Sequence, residues 1–185
     1  VKPVKSVKIV CPHVFSDAGL YWRPLSRVRA PAAMSDWLAD QGSLTRRLER
    51  FGQFRVQPVT QGVGQPTAAE AIMLGLPARR RALIREVLLL VENEPVVAAR
   101  SVLPLTTLVG ANRILGHMAR RSLGTELFRR PRAIRLAVWA AMVPADRLPV
   151  KVGQACWGRQ SLFLKRGRPL LVAEVFLPAL QRLTA

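Results

Sequence analysis

The chain has 185 residues, half of them hydrophobic, enough for one domain with a real core and too apolar for disorder throughout. Lysine and arginine number 29 against 11 acids, a net charge of +18, which favours anionic partners: nucleic acid, anionic lipid or a small acidic ligand. The bases are dispersed, with Arg79-Arg80-Arg81 the longest run, and no aromatic-rich basic motif for stacking bases occurs, which argues against nucleic acid.

Residues 1–30 carry Pro3, Pro12 and Pro24 and no steady period. They read as a poorly ordered leader or upstream extension holding at most a short strand, ahead of a single domain over 31–185. The stretch lacks an initiating Met and an uninterrupted apolar region, so it makes a poor signal peptide. Ala33–Ala39 suggests a short helix. Gly42 suits its C-terminal cap, and Ser43 caps a second helix from Leu44 to about Phe51 with Leu44, Leu48 and Phe51 on one stripe. Phe54–Thr60 alternates as a strand, which Pro58 assigns to a sheet edge. Gly62, Gly64 and Pro66 read as a loop. Thr67-Ala68-Ala69-Glu70 is a capping-box pattern opening a short helix that Pro77 closes.

Ala82–Val91 and Pro95–Leu103 read as a hairpin joined at Glu92-Asn93-Glu94. Arg85, Val87, Leu89 and Val91 share one face of its first strand. An Arg opening an apolar face is either a snorkelling charge at the sheet rim or a functional cation. Leu108–Arg121 reads as a helix weakened by Gly110 and Gly116, and Ser122 as the N-cap of a short helix through Phe128. Ile134–Met142 reads as a strand on its β-branched and aromatic content, and 144–153 as a loop.

Trp157–Pro178 forms a second hairpin, with Gly167 in the turn Lys165-Arg166-Gly167-Arg168. Glu174 shares an apolar face with Leu170, Val172 and Phe176. A carboxylate there needs a cationic or hydrogen-bonding partner, or holds its proton; the alternative is an edge-strand Glu in water. The sum is an α+β domain on an antiparallel sheet of four to six strands.

Cys11 and Cys156 sit in no CxxC and read as free thiols; no paired base supports a catalytic Cys156. His13 and His117 are isolated. No Ser-His-Asp, Cys-His or HExxH pattern occurs, and no apolar run reaches the ~18 residues of a transmembrane helix.

Several segments in order resemble the chorismate pyruvate-lyase family of bacterial ubiquinone synthesis. They are Asp36-Trp37-Leu38, Ser43–Arg47, Ile84–Leu89, Glu94-Pro95, Ala99–Pro104, Leu123-Gly124, Leu127-Phe128, Trp157-Gly158-Arg159 and Pro169–Pro178. The resemblance spans about residues 35–179. It implies a six-stranded antiparallel sheet, an internal site under helical flaps, and neither metal nor cofactor. It implies a cytoplasmic monomer that converts chorismate to 4-hydroxybenzoate and pyruvate. It also assigns the site: Arg85 to the ring carboxylate, Glu174 to the other end of the ring, and the backbone amides of Leu44 and Leu123 as polar contacts.

Elementary chemistry agrees with that assignment. Chorismate is a dianion whose ring aromatises once the enolpyruvyl group leaves, so the protein needs to hold the ring carboxylate, orient the ether and manage a proton. Arg suits a carboxylate through its planar fork of donors. Leu44 and Leu123 each follow a Ser at a helix start, where N–H groups are free. Glu174 either takes the C4 proton or protonates the departing ether oxygen. Arg159 and Arg100 are further candidates for the enolpyruvyl carboxylate, set against readings as an exposed turn charge and a sheet-rim charge. The alternative function is a non-catalytic ligand-binding domain of the same fold, as in effector domains of bacterial transcription regulators, although residues 1–34 are short for a winged-helix segment.

Overall fold

Two tight hairpins supply the middle of one antiparallel sheet. In the computed structural model, which describes residues 20–77 and 79–184, β3 (Ala82–Val91) turns into β4 (Glu94–Pro104) through Glu92 and Asn93 at φ 49° and 66°. β6 (Cys156–Lys165) turns into β7 (Arg168–Phe176) through Arg166 and Gly167 at φ 52° and 73°. Two successive left-handed residues make the primed turn whose twist matches right-twisted strands. β4 and β7 pair and so weld the hairpins together. β5 (Ile134–Val143) adds beside β6, and β2 (Phe54–Gly64) beside β3. The six expected strands are all present, and β1 (Arg23–Pro24) adds a two-residue seventh beside β5.

Among the described residues, five short helices accompany the sheet: α1 (Ala32–Ala39), α2 (Leu44–Leu48, continued by a 3-10 turn Glu49–Phe51), α3 (Ala68–Met73), α4 (Leu123–Phe128) and α5 (Pro178–Thr184). The Ser43 side chain caps α2 by accepting from Arg46 N, and the Thr67–Glu70 box closes in both directions. Among the described residues, no helix is long and apolar enough to cross a membrane.

Sequence and structure part in three places. β2 runs on through Gly62 and Gly64, because β3 offers pairing as far as Gly64↔Ala82; a register shift between Pro58 and Thr60 absorbs the proline on this edge strand. The helix expected over Leu108–Arg121 is instead 3-10 structure at Gly110–His117, with Gly110 at φ 55° and Ala119 at φ 42°. The two glycines weaken an α-helix there, and the irregular path leaves carbonyls for another use. α5 carries no strong sequence signal; Leu180 holds it by filling the core. Of the segment read as a leader, residues 1–19 lie outside the described residues. Leu25, Val28 and Ala30 pack against the Trp37–Phe176 cluster, and Leu20 and Trp22 against a cluster on the other side of the sheet.

Register sorts the sheet's faces. One face carries Leu83, Arg85, Val87 and Leu89 of β3, with Leu103, Ser101, Ala99 and Val97 opposite them on β4. Val172 and Glu174 of β7 continue the middle rows, paired with Ser101 and Ala99. α1 and α2 cover one end of this face in a cluster with Val87, Leu89 and Phe176, and α4 covers the other end with Leu83, Phe163 and Leu170. The opposite face bears Leu88, Leu90, Ala98 and Val175, packed with Leu148, Val150 and Cys156.

Candidate active site

Between the two apolar ends of the covered face lies a band of polar residues, and the site forms there. Arg85 stands in the row Arg85–Ser101–Val172, and Glu174 in the next row, Val87–Ala99–Glu174–Arg159. Leu44 and Thr45 of α2, with Leu123 and Gly124 of α4, roof the band over a narrow cavity of ≈ 40 Å³. Arg85, Glu174, Leu44 and Leu123 therefore all line one chamber. A wider open groove along Phe54–Pro58 shares only Thr45 and Ser122 with it.

Arg85 is 3 % exposed, and among the described residues no carboxylate pairs with it. Its Nη2 donates to the carbonyls of Ala119 and Arg121 at 2.9 and 2.8 Å, while Nε is buried with no partner among the described residues. The segment that declined to become a helix supplies the Ala119 oxygen. Burial pushes the guanidinium's proton affinity down from its ordinary value. The result is an immobilised buried cation short of an anion.

Glu174 meets its partner in Arg159, whose Nε donates to Oε2 at 2.6 Å. The exposed-turn reading of Arg159 is thus corrected: the residue lies mid-strand, fully buried, with Nη1 donating to Trp37 O and Asp40 O at 2.8 and 2.9 Å. Those carbonyls sit at the C-terminal end of α1, where a cation is favoured. Arg100 also departs from expectation. Its side chain points to the opposite face, where it binds Glu70 at 2.7 and 3.0 Å and Glu86 at 2.7 Å. It neither rims the sheet nor lines the cavity.

Sequence reasoning missed Arg135. It lies opposite Phe163, its guanidinium 4.9 Å over that ring, and Nη1 donates to Asp40 O at 2.7 Å. A register shift between Arg135 and Ala137 hides its facing from simple alternation; the one available signal was an Arg inside an apolar strand, as at Arg85.

Leu44 and Leu123 are the first residues of α2 and α4, where backbone N–H groups have no partner within the helix. Ser122 occupies the N-cap position without capping. Its hydroxyl instead hydrogen-bonds Thr45 Oγ1 and ties the two roof helices together. Gly124 permits that contact, since a Cβ there falls 2.7 Å from Thr45 Oγ1. Cys156 is buried on the far face, away from this chamber, with no thiol partner among the described residues, and burial pushes its thiol pKa up. His117 is exposed, with Nδ1 against Arg113 O; His13 and Cys11 lie outside the described residues. Among the described residues, no three His, Cys, Asp or Glu side chains gather as metal ligands.

The pattern of the family described as Chorismate lyase matches residues 18–183. A protein of Alcanivorax borkumensis named probable chorismate pyruvate-lyase is 57% identical over 159 residues, covering 86% of this chain and 76% of its own length. One of the same name from Thiobacillus denitrificans is 43% identical over 178 residues, covering 90% and 95%. Among solved structures, the effector domain of PhnF from Mycobacterium smegmatis superposes with a TM-score of 0.56 at 16% identity, covering 76% of this chain and 91% of that one. That last likeness speaks for the fold alone.

Proposed function

The chain belongs to the chorismate lyase family, and we infer that its enclosed cavity is where it converts chorismate to 4-hydroxybenzoate and pyruvate. The single observation that carries the site is the shared chamber of Arg85 and Glu174, two residues from different hairpins facing one enclosed space. Arg85 holds the ring carboxylate, with the Leu44 and Leu123 amides as further donors. The ring then points its C4 hydroxyl end toward Glu174.

In this reading the reaction is an elimination. The C4 proton leaves to a base, the C3–O ether bond breaks, and the ring electrons become aromatic. The enolpyruvyl oxygen takes the bond pair and a proton, and the enol ketonises to pyruvate. Glu174 is the base: Arg159 occupies Oε2 and fixes the carboxylate's orientation, which leaves the other oxygen for the substrate. Closure by α2 and α4 excludes water and strengthens every ionic contact inside. The cytoplasm and a monomeric state are carried forward from the family resemblance.

Arg85→Ala tests the orientation. A shielded charge-assisted contact contributes roughly 1.5–3 kcal/mol, so the dissociation constant for 4-hydroxybenzoate should rise about ten- to hundred-fold. Calorimetric titration reads it, and an unchanged constant refutes the carboxylate role.

A further inference from the structure

The charges around the cavity do not balance. Among the described residues, three guanidinium groups line it, from Arg85, Arg135 and Arg159, against the single carboxylate of Glu174. Asp40, the next acid, is engaged elsewhere: Oδ2 pairs with Arg47 at 3.0 Å and Oδ1 accepts from Gly42 N at 2.7 Å. Each of the three guanidiniums also keeps one buried nitrogen with no hydrogen-bond partner among the described residues: Nε of Arg85, Nε of Arg135 and Nη2 of Arg159. A buried charged donor left unmet is costly. Three around one chamber point to acceptors that arrive with the ligand.

The unmet donors fall into two groups. Arg85 is alone, held only by carbonyls. Arg135 and Arg159 are neighbours: both donate to the Asp40 carbonyl, at 2.7 and 2.9 Å, and Arg159 also reaches Glu174. Two like charges sharing one carboxylate leave one positive charge over at this end, as Arg85 does at the other. The chamber is thus charged for a ligand with two separated carboxylates.

We propose that Arg135 and Arg159 bind the enolpyruvyl carboxylate of chorismate. This rests on the ring orientation argued above, which puts the ring carboxylate on Arg85. Substrate carries two carboxylates and the aromatic product one, so the pair acts on substrate and not on 4-hydroxybenzoate. Its carboxylate departs with pyruvate, and the pair then contributes nothing to retaining the product.

The contrast between the two ligands is the test. In full-length Arg135→Gln, KM for chorismate should rise tenfold or more, while the inhibition constant of 4-hydroxybenzoate stays within threefold. Retained product binding also reports a folded site. Arg135→Lys keeps the charge without the fork and should recover part of the loss; it serves equally if the Gln variant does not fold. Weakening of both ligands by the same factor marks a purely structural residue and overturns the proposal, as does an unchanged KM. Failure of the ring orientation has a different signature: Arg85→Ala then leaves 4-hydroxybenzoate binding unchanged while the Arg135→Gln contrast persists.

Discussion

Glu174→Gln should lower kcat on chorismate by roughly 10²–10⁴, the usual range for losing a positioned general base, without raising KM. The substitution is nearly isosteric, and the amide oxygen still accepts from Arg159 Nε, so the 2.6 Å contact and the strand packing survive. What disappears is the one carboxylate in a chamber lined by Arg85, Arg135 and Arg159. The chamber becomes more positive, and a dianion in its ground state loses nothing by that. A fall in kcat with KM level or lower therefore isolates proton removal from binding. Stopped-flow or steady-state absorbance of 4-hydroxybenzoate formation reads both constants. Turnover within about threefold of the parent excludes proton transfer by this residue and leaves orientation of the ether as the main source of rate.

Much of the site was legible because two strands break their own pattern. Arg85 and Glu174 each interrupt an apolar face, and period-two alternation is enough to see that. The resemblance to the family segments then implies which cation and which carboxylate belong together. What alternation cannot supply is the pairing between hairpins. Arg159 reads as a turn charge next to Trp157-Gly158 until β6 is registered against β7, when it falls opposite Glu174. Arg135 is hidden for a related reason, since the register shift after it changes which residues share a face. The helix expected at Leu108–Arg121 fails for a third reason. Gly110 and Gly116 leave local preference too weak to resist tertiary demand, and Arg85 draws on the carbonyl of Ala119 in the irregular chain that follows.

Arg100 shows how an apparently functional arginine can serve the fold, and Arg100→Ala should cost about 3–5 kcal/mol of stability, the range for removing one partner of a buried ion pair. Two carboxylates depend on it, Glu70 and Glu86, each no more than 4 % exposed. Through Glu70 the arginine also anchors the capping box of α3 to the sheet. Burial already raises the Glu86 pKa, with Arg100 pulling against it. Without the arginine that pull is gone, and Glu86 binds its proton more tightly in the folded state than in the unfolded one. Such a group favours folding below its unfolded pKa, and that advantage is lost as pH rises through the folded value. The penalty in Arg100→Ala should therefore be largest near neutral pH and shrink as the solution is acidified. Urea unfolding at pH 7 and pH 5 measures both parts. A loss under 1 kcal/mol at pH 7, or one that grows on acidification, rejects the triad as a stabilising unit. Because the side chain faces away from the cavity, KM for chorismate should stay unchanged in the folded fraction; a rise in KM with stability intact would return Arg100 to the substrate.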